Sequence, residues 1–385
     1  MDEIQRRALR NGVIAAVVTA ILGFSIDAVV SGPPERVRTT PSPAPSPTPT
    51  CGPAWASVPS RDPDPAGNQL LGVAAISEDD AWAVGASGPA DAPTDTLVER
   101  WNGQDWSVVP SPNGGTVTNA LNGVGGTAPN DVWSVGASSS GGWSDPLIMH
   151  WDGATWTLAT APSLPGPGVL SGVAAVAHDD VWAVGSVGDP ALGLDRPLVL
   201  HWDGISWTVA PVPSFGAASS LSAVSARRAG DAWAVGALGD GPLVLHLGGK
   251  GWRRVAADAK GVLVTVEAVA RDDVWAAGSS LIRWNGASWA QAGFVRRGGE
   301  IQGIAATAAS GVWAVGSSGL GDAGRALVQR FDGLQWSLVS GGGIAGAETL
   351  TAATGLPGGA VWAVGFHDTA KGRSTLVIRN TIACT

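Results

Sequence analysis

Seven basic side chains stand at one recurring position of this chain: Arg100, His150, His201, His246, Arg283, Arg330 and Arg379. Upstream of the first five lies an aspartate, at Asp80, Asp131, Asp180, Asp231 and Asp273. A carboxylate beside an imidazole can do acid–base work, and a ring of cationic groups can hold anions. A catalytic pair, however, is needed only once, and this one recurs. Recurrence favours a hydrogen-bonded clamp that sets strand register, one per repeat. A second recurring group is Trp-Asp/Asn-Gly-x-x-Trp, as in HWDGATW at 150–156 and HWDGISW at 201–207. Paired indoles can bind sugars. With a two-residue turn, Trp151 and Trp156 are expected on one face as diagonal cross-strand neighbours, filling the space between repeats. His178 and His367 are the only histidines outside the ring, so no metal-ligand cluster is expected. No nucleophile elbow or phosphate loop occurs. The expectation is no catalytic residue, no metal and no cofactor.

The elements that position these groups are strands. The segment DVWAVG and its variants carry Trp82, Trp133, Trp182, Trp233, Trp275, Trp313 and Trp362, at intervals of 51, 49, 51, 42, 38 and 49 residues. Each repeat reads as four strands. Strand A is small and apolar (GVAAIS, GVAAVA), strand B is DVWAVG, strand C is the PLVLHW type and strand D the SWTVAPV type. Asp-Gly or Asn-Gly between C and D is a strong hairpin signal. Four-stranded units at this period predict an all-β, seven-bladed β-propeller over residues 51–385. Of 19 tryptophans, seven sit in strand B, four at the end of strand C and six at the start of strand D. Blade 7 has no strand D of its own, and AWASVPS at 54–60, with Trp55, supplies it in this reading, so an N-terminal strand closes the ring. Only Trp143 stays out of register. Cys51 and Cys384 then fall at the two ends of that closing hairpin, where a disulfide would replace the missing turn; the alternative is two unrelated free thiols.

These motifs make residues 51–385 resemble the Trp-rich bacterial propellers with tandem DVWAVG and WDG segments, and more loosely the kelch and tectonin propellers. The HWDG segments also echo WD-repeats, without that family's Gly-His dipeptide. The resemblance implies no reaction. Sialidase-type propellers use a Tyr nucleophile and kelch-type copper-radical oxidases use Tyr and Cys ligands, whereas this chain has no Tyr.

Composition and ends set the address. There are 55 Gly and 26 Pro, but the chain is 45% hydrophobic, so the glycines serve turns and crowded strands instead of disorder. A net charge of −9 with three lysines argues against nucleic acid. Residues 12–31 are apolar apart from Thr19, Ser25 and Asp27, behind Arg6, Arg7 and Arg10. Twenty helical residues span about 30 Å, so 1–31 reads as one hydrophobic helix and a single-pass membrane anchor with the propeller outside. The alternative is a cleaved signal peptide ending at Val29-Val30-Ser31 and a secreted protein. Residues 32–50 are a Pro/Ser/Thr-rich linker reaching roughly 60 Å.

The A–B and C–D turns are short and uniform, whereas the B–C and D–A loops differ from blade to blade, the longest at 186–197. Binding residues gather on variable loops over a rigid scaffold. Near blades 1–3 that face carries Asp62, Asp64, Asp91, Asp95, Asp145, Asp189 and Asp195 against Arg61 and Arg196. Near blades 5–7 Arg296, Arg297, Arg325, Lys371 and Arg373 slightly outweigh Glu300, Asp322, Glu348 and Asp368. The expected ligand contacts are Trp143, Asp145, Asp189, Asp195 and Arg196. The expected function is a monomeric, non-enzymatic binding or scaffold module for a protein or carbohydrate partner. The alternative is an extracellular polysaccharide hydrolase or lyase on the same scaffold.

Overall fold

The computed structural model describes residues 51–384, apart from 90–92, 294–298, 308–310, 320–323, 340–346, 357 and 370–371. The apolar run 12–31 and the linker 32–50 lie outside the described residues. Among the described residues there are twenty-eight strands in seven antiparallel four-stranded sheets, and no helix long and apolar enough to cross a membrane. Blade 1 consists of Asn68–Ser77, Asp80–Ser87, Asp95–Trp101 and Trp106–Val108, paired in that order as strands A to D, and blades 2–6 repeat it. In blade 7, strands A to C are Ala347–Gly355, Val361–Thr369 and Gly372–Cys384. The strand paired with the last of these is Cys51–Ser57, in a register that sets Trp55 against Asn380 and Cys51 against Cys384.

Strand A lines the axis, and at one shared position in every A strand a residue is bulged out of the A–B ladder, apart from a second bulge beside the A–B turn in blades 1–5. The bulged residues are Leu71, Asn122, Ser171, Ser222, Val264, Gln302 and Thr351, and together they line an axial cavity of about 220 Å³. Two of them stitch neighbouring blades together. Asn122 Nδ2 donates to Leu170 O at 2.8 Å and Thr351 Oγ1 donates to Leu70 O at 2.8 Å. The bulge also explains the glycine of DVWAVG. A Cβ on Gly85 would lie 1.9 Å from the Gln69 carbonyl oxygen, so no side chain fits there.

The tryptophans fill the seams between blades. Trp82 of blade 1 meets Trp151 and Trp156 of blade 2 at 5.0 and 5.3 Å between ring centroids, the second edge-to-face at 87°. Trp133 meets Trp202 and Trp207 in the same way, and Trp362 meets Trp101 and Trp106. A buried indole removes some 150–250 Å² from water, about 4–6 kcal/mol each at 25 cal/mol per Å². Blade is thus glued to blade by apolar area and by ring geometry.

The C–D hairpin departs from the expected register. Trp151 lies directly opposite Trp156, as Trp101 does opposite Trp106, instead of diagonally. The connection has four residues, not two. Asp152 Oδ1 accepts from the backbone N–H groups of Ala154 and Thr155 at 2.8 Å each, while Gly153 takes φ +99°. The aspartate side chain caps the turn, so Asp-Gly here belongs to a longer loop than the dipeptide suggests.

Candidate functional site

The recurring acid–base pairs are clamps within single blades. Asp80 accepts from Arg100 Nε at 2.8 Å and Nη2 at 3.1 Å, and Asp273 accepts from Arg283 Nε at 2.7 Å. His150, His201 and His246 place Nε2 at 2.9, 2.9 and 3.1 Å from Asp131, Asp180 and Asp231. Each imidazole also lies against the strand-B indole of its own blade, His201 on Trp182 at 4.1 Å and His246 on Trp233 at 4.1 Å. These pairs join the start of strand B to the end of strand C on the face of the short turns. Among the described residues no group of three or more His, Cys, Asp or Glu side chains is placed to hold a metal ion.

The variable-loop face of blades 2 and 3 is different. Trp143, in the B–C loop of blade 2, is 66% exposed. It reaches across to the long B–C hairpin of blade 3 and forms one wall of a pocket of about 300 Å³. Pro167, Pro190, Leu194, Asp189 and Asp195 complete the lining. Leu192, at the hairpin tip, is 55% exposed beside it. Loop ends rich in Pro and Gly give this rim its shape, since Asp189 Oδ1 caps the tip by accepting from Ala191 N and Leu192 N.

Three of the five residues expected to touch a ligand therefore come together: Trp143, Asp189 and Asp195. Arg196 does not line this pocket. It forms an ion pair with Asp189, Nη2 to Oδ2 at 2.6 Å, and lines the groove on the other side of that pair. Asp145 is exposed at the start of strand C of blade 2, opposite Ser138, outside the pocket lining. The neighbouring groove, about 270 Å³, is lined by Leu164, Pro165, Pro197, Pro211, Pro213 and Phe215 among others. Sequence reasoning missed this groove and the leucines of the rim. The available signal was the cluster of Pro and Leu in loops 161–167 and 186–197.

The acidic count of this face also resolves into roles. Asp62 accepts from Thr375 N at 2.8 Å, Asp64 from Ala66 N at 2.7 Å and Asp95 from Asn113 Nδ2 at 2.6 Å. Asp145 and Asp195 are exposed, and among the described residues they have no such partner. Two further acids escaped notice. Glu99 is fully buried in strand C of blade 1; its Oε2 accepts from Arg61 N at 3.2 Å and its Oε1 has no hydrogen-bond partner. Burial pushes its carboxyl up to about 8, against the backbone hydrogen bond from Arg61. Glu267, on strand A of blade 5, is likewise pushed up to about 7 by desolvation. It stands at a register position that holds Ala74, Gly125, Ala174, Ser225, Ala305 and Thr354 in the other blades.

No protein-family model and no curated protein matches the chain. Solved structures do. YCF48 from Cyanidioschyzon merolae is 17% identical, covers 85% of this chain and 98% of its own, and superposes with a TM-score of 0.56. A structure of YCF48 bound to D1 peptide is 15% identical, with coverage of 85% and 96% and a TM-score of 0.56. The RRP9 WD40 repeats are 10% identical, with coverage of 86% and 97% and a TM-score of 0.56. At these identities the likeness is one of fold, and it agrees with the strand order: the chain is a seven-bladed β-propeller.

Proposed function

We propose that this chain is a non-enzymatic binding propeller that takes a protein segment on the variable-loop face of blades 2 and 3. The observation that carries this reading is the pocket in which exposed Trp143 faces Leu194, Asp189 and Asp195. An exposed aromatic beside aliphatic side chains and the unpaired carboxylate of Asp195, with Asp189 held by Arg196, suits an apolar side chain flanked by Lys or Arg. A similar fold, YCF48, has been solved bound to a peptide, which supports the class of partner. Phage-displayed 12-residue peptides panned on the full chain are expected to enrich basic sequences with an aromatic or aliphatic anchor. Trp143→Ala should weaken the selected peptides by at least ~1 kcal/mol, about fivefold, and leave the melting temperature unchanged. A melting temperature that drops while peptide binding holds would make Trp143 a packing residue and sink the reading.

In the same proposal the first strand, Cys51–Ser57, closes the ring, with a disulfide joining Cys51 to Cys384. Residues 12–31 anchor the protein in a membrane and residues 32–50 hold the propeller away from it, on the extracytoplasmic side. The support is the largely apolar run 12–31 behind three arginines. Expressed in full in a bacterial host, the protein is expected in the membrane fraction with its N-terminus intact. A soluble form beginning near residue 32 would identify a cleaved signal instead.

A further inference from the structure

Internal comparison of the seven blades points to a second site, on the opposite face. In blades 1–5 an aspartate at the start of strand B accepts from the basic side chain at the end of strand C. Blades 6 and 7 keep the base and lack the acid. Arg330 pairs in register with Trp313, and Arg379 with Trp362, as Arg100 does with Trp82. The residues standing where Asp80 stands in blade 1 are Gly311 and Ala360. The guanidinium groups still lie over the strand-B indoles, 5.5 Å from Trp313 and 4.9 Å from Trp362, as Arg100 lies 4.8 Å over Trp82. Yet Nε of Arg330 and Nε of Arg379 are both buried without a hydrogen-bond partner.

A third orphan donor belongs to the same region. Asn380 occupies the position held by Trp101 in blade 1; it is 5% exposed, and its Nδ2 is buried and unpartnered. The basic group of one blade lies over the residue at this position in the next, Arg100 over Trp151, Arg283 over Phe331 and Arg379 over Trp101. By that register the residue facing Arg330 is Asn380. Among the described residues, neither Arg330 Nε nor Asn380 Nδ2 at the seam between blades 6 and 7 has an acceptor. Asp332, two residues beyond Arg330, is committed: its Oδ1 accepts from Leu334 N and Gln335 N at 2.8 Å each.

A buried donor without an acceptor is costly, more so when charged, and a carboxylate is the acceptor whose size and fork match what five other blades supply. We propose that blades 6 and 7 form a carboxylate receptor on the short-turn face, in which Arg330 with Asn380, and Arg379 one blade on, take Asp or Glu side chains of an acidic partner segment. The site is independent of the pocket beside Trp143 and would survive its failure.

The test is calorimetric titration of the full chain with hexaglutamate peptide and, separately, with acetate, repeated with Trp143→Ala as a control. Saturable hexaglutamate binding is expected. It should weaken at least about tenfold in Arg330→Gln and in Arg379→Gln, each of which loses one charge-assisted bond. Ala360→Asp and Gly311→Asp should also abolish it, because each rebuilds the internal clamp, and Ala360→Asp should raise the melting temperature. Hexaglutamate binding that is absent, or unmoved by all four substitutions, overturns the proposal. Acetate binding as tightly as the peptide, per carboxylate, overturns the assignment to an acidic segment and makes the receptor one for free carboxylates.

Discussion

Replacing Glu99 by glutamine should make the propeller markedly more stable above neutral pH and leave it unchanged near pH 4. The carboxyl is fully buried, one of its oxygens has no partner, and burial holds it up to about 8. The unfolded chain releases this proton near pH 4.5, whereas the folded chain keeps it to about pH 8. Between those values the folded state carries the extra proton, so stability falls as pH rises, by about 1.4 kcal/mol per pH unit. Across the whole window the loss is on the order of 5 kcal/mol, roughly 7 °C in a domain of this size. Glutamine keeps the acceptor for Arg61 N and cannot ionise. Met149 and Leu200 hold the equivalent place in blades 2 and 3, so Glu99→Met should give the same pH response. The measurement is the melting temperature from pH 4 to pH 9 for the wild type and both variants. Glu267 contributes equally to all three, so their difference isolates Glu99. Parallel curves would show that Glu99 is already neutralised by a route other than its buried proton.

With the proposed disulfide formed, its reduction, or Cys51→Ser, is expected to lower stability by about 5 kcal/mol in the chain-entropy account of a loop of this length. That corresponds to roughly 7 °C. The ground for the bond is backbone register: Cys51 and Cys384 are Cα partners across antiparallel strands. Directly opposed residues have Cα atoms about 4.5–5.5 Å apart, within the range that a disulfide spans. The expected loss is large because the link would join the first strand of the propeller to the last and constrain nearly the whole unfolded ring. Thiol titration of the purified, denatured protein checks it, since two free thiols per chain would exclude the bond. A fall in melting temperature in Cys51→Ser, with the strand signal retained by circular dichroism, would place its contribution in the unfolded state.

The sequence by itself determined the repeat unit, the order of strands in each blade and the clamps of blades 1–5. All three are local or periodic. Strand-B tryptophans at intervals of 38 to 51 residues, Asp-Gly turns, and an Asp at the start of strand B opposite a base at the end of strand C need no knowledge of the ring. The loss of that Asp at Gly311 and Ala360 was also visible in the letters. What it meant was not, because only the packed blade shows Nε of Arg330 and of Arg379 cut off from water. The register of the C–D hairpin escaped because Asp152 uses its side chain to cap a four-residue turn that the dipeptide alone does not announce. Glu99 escaped because strand C is buried on both faces, so alternation gave no sign that a carboxylate was inside. The pocket at Trp143 was decided by tertiary structure alone. Its walls come from loops some fifty residues apart that meet only because the ring sets blade 3 beside blade 2. Periodicity dictates each blade, and the angle between blades dictates which loops touch.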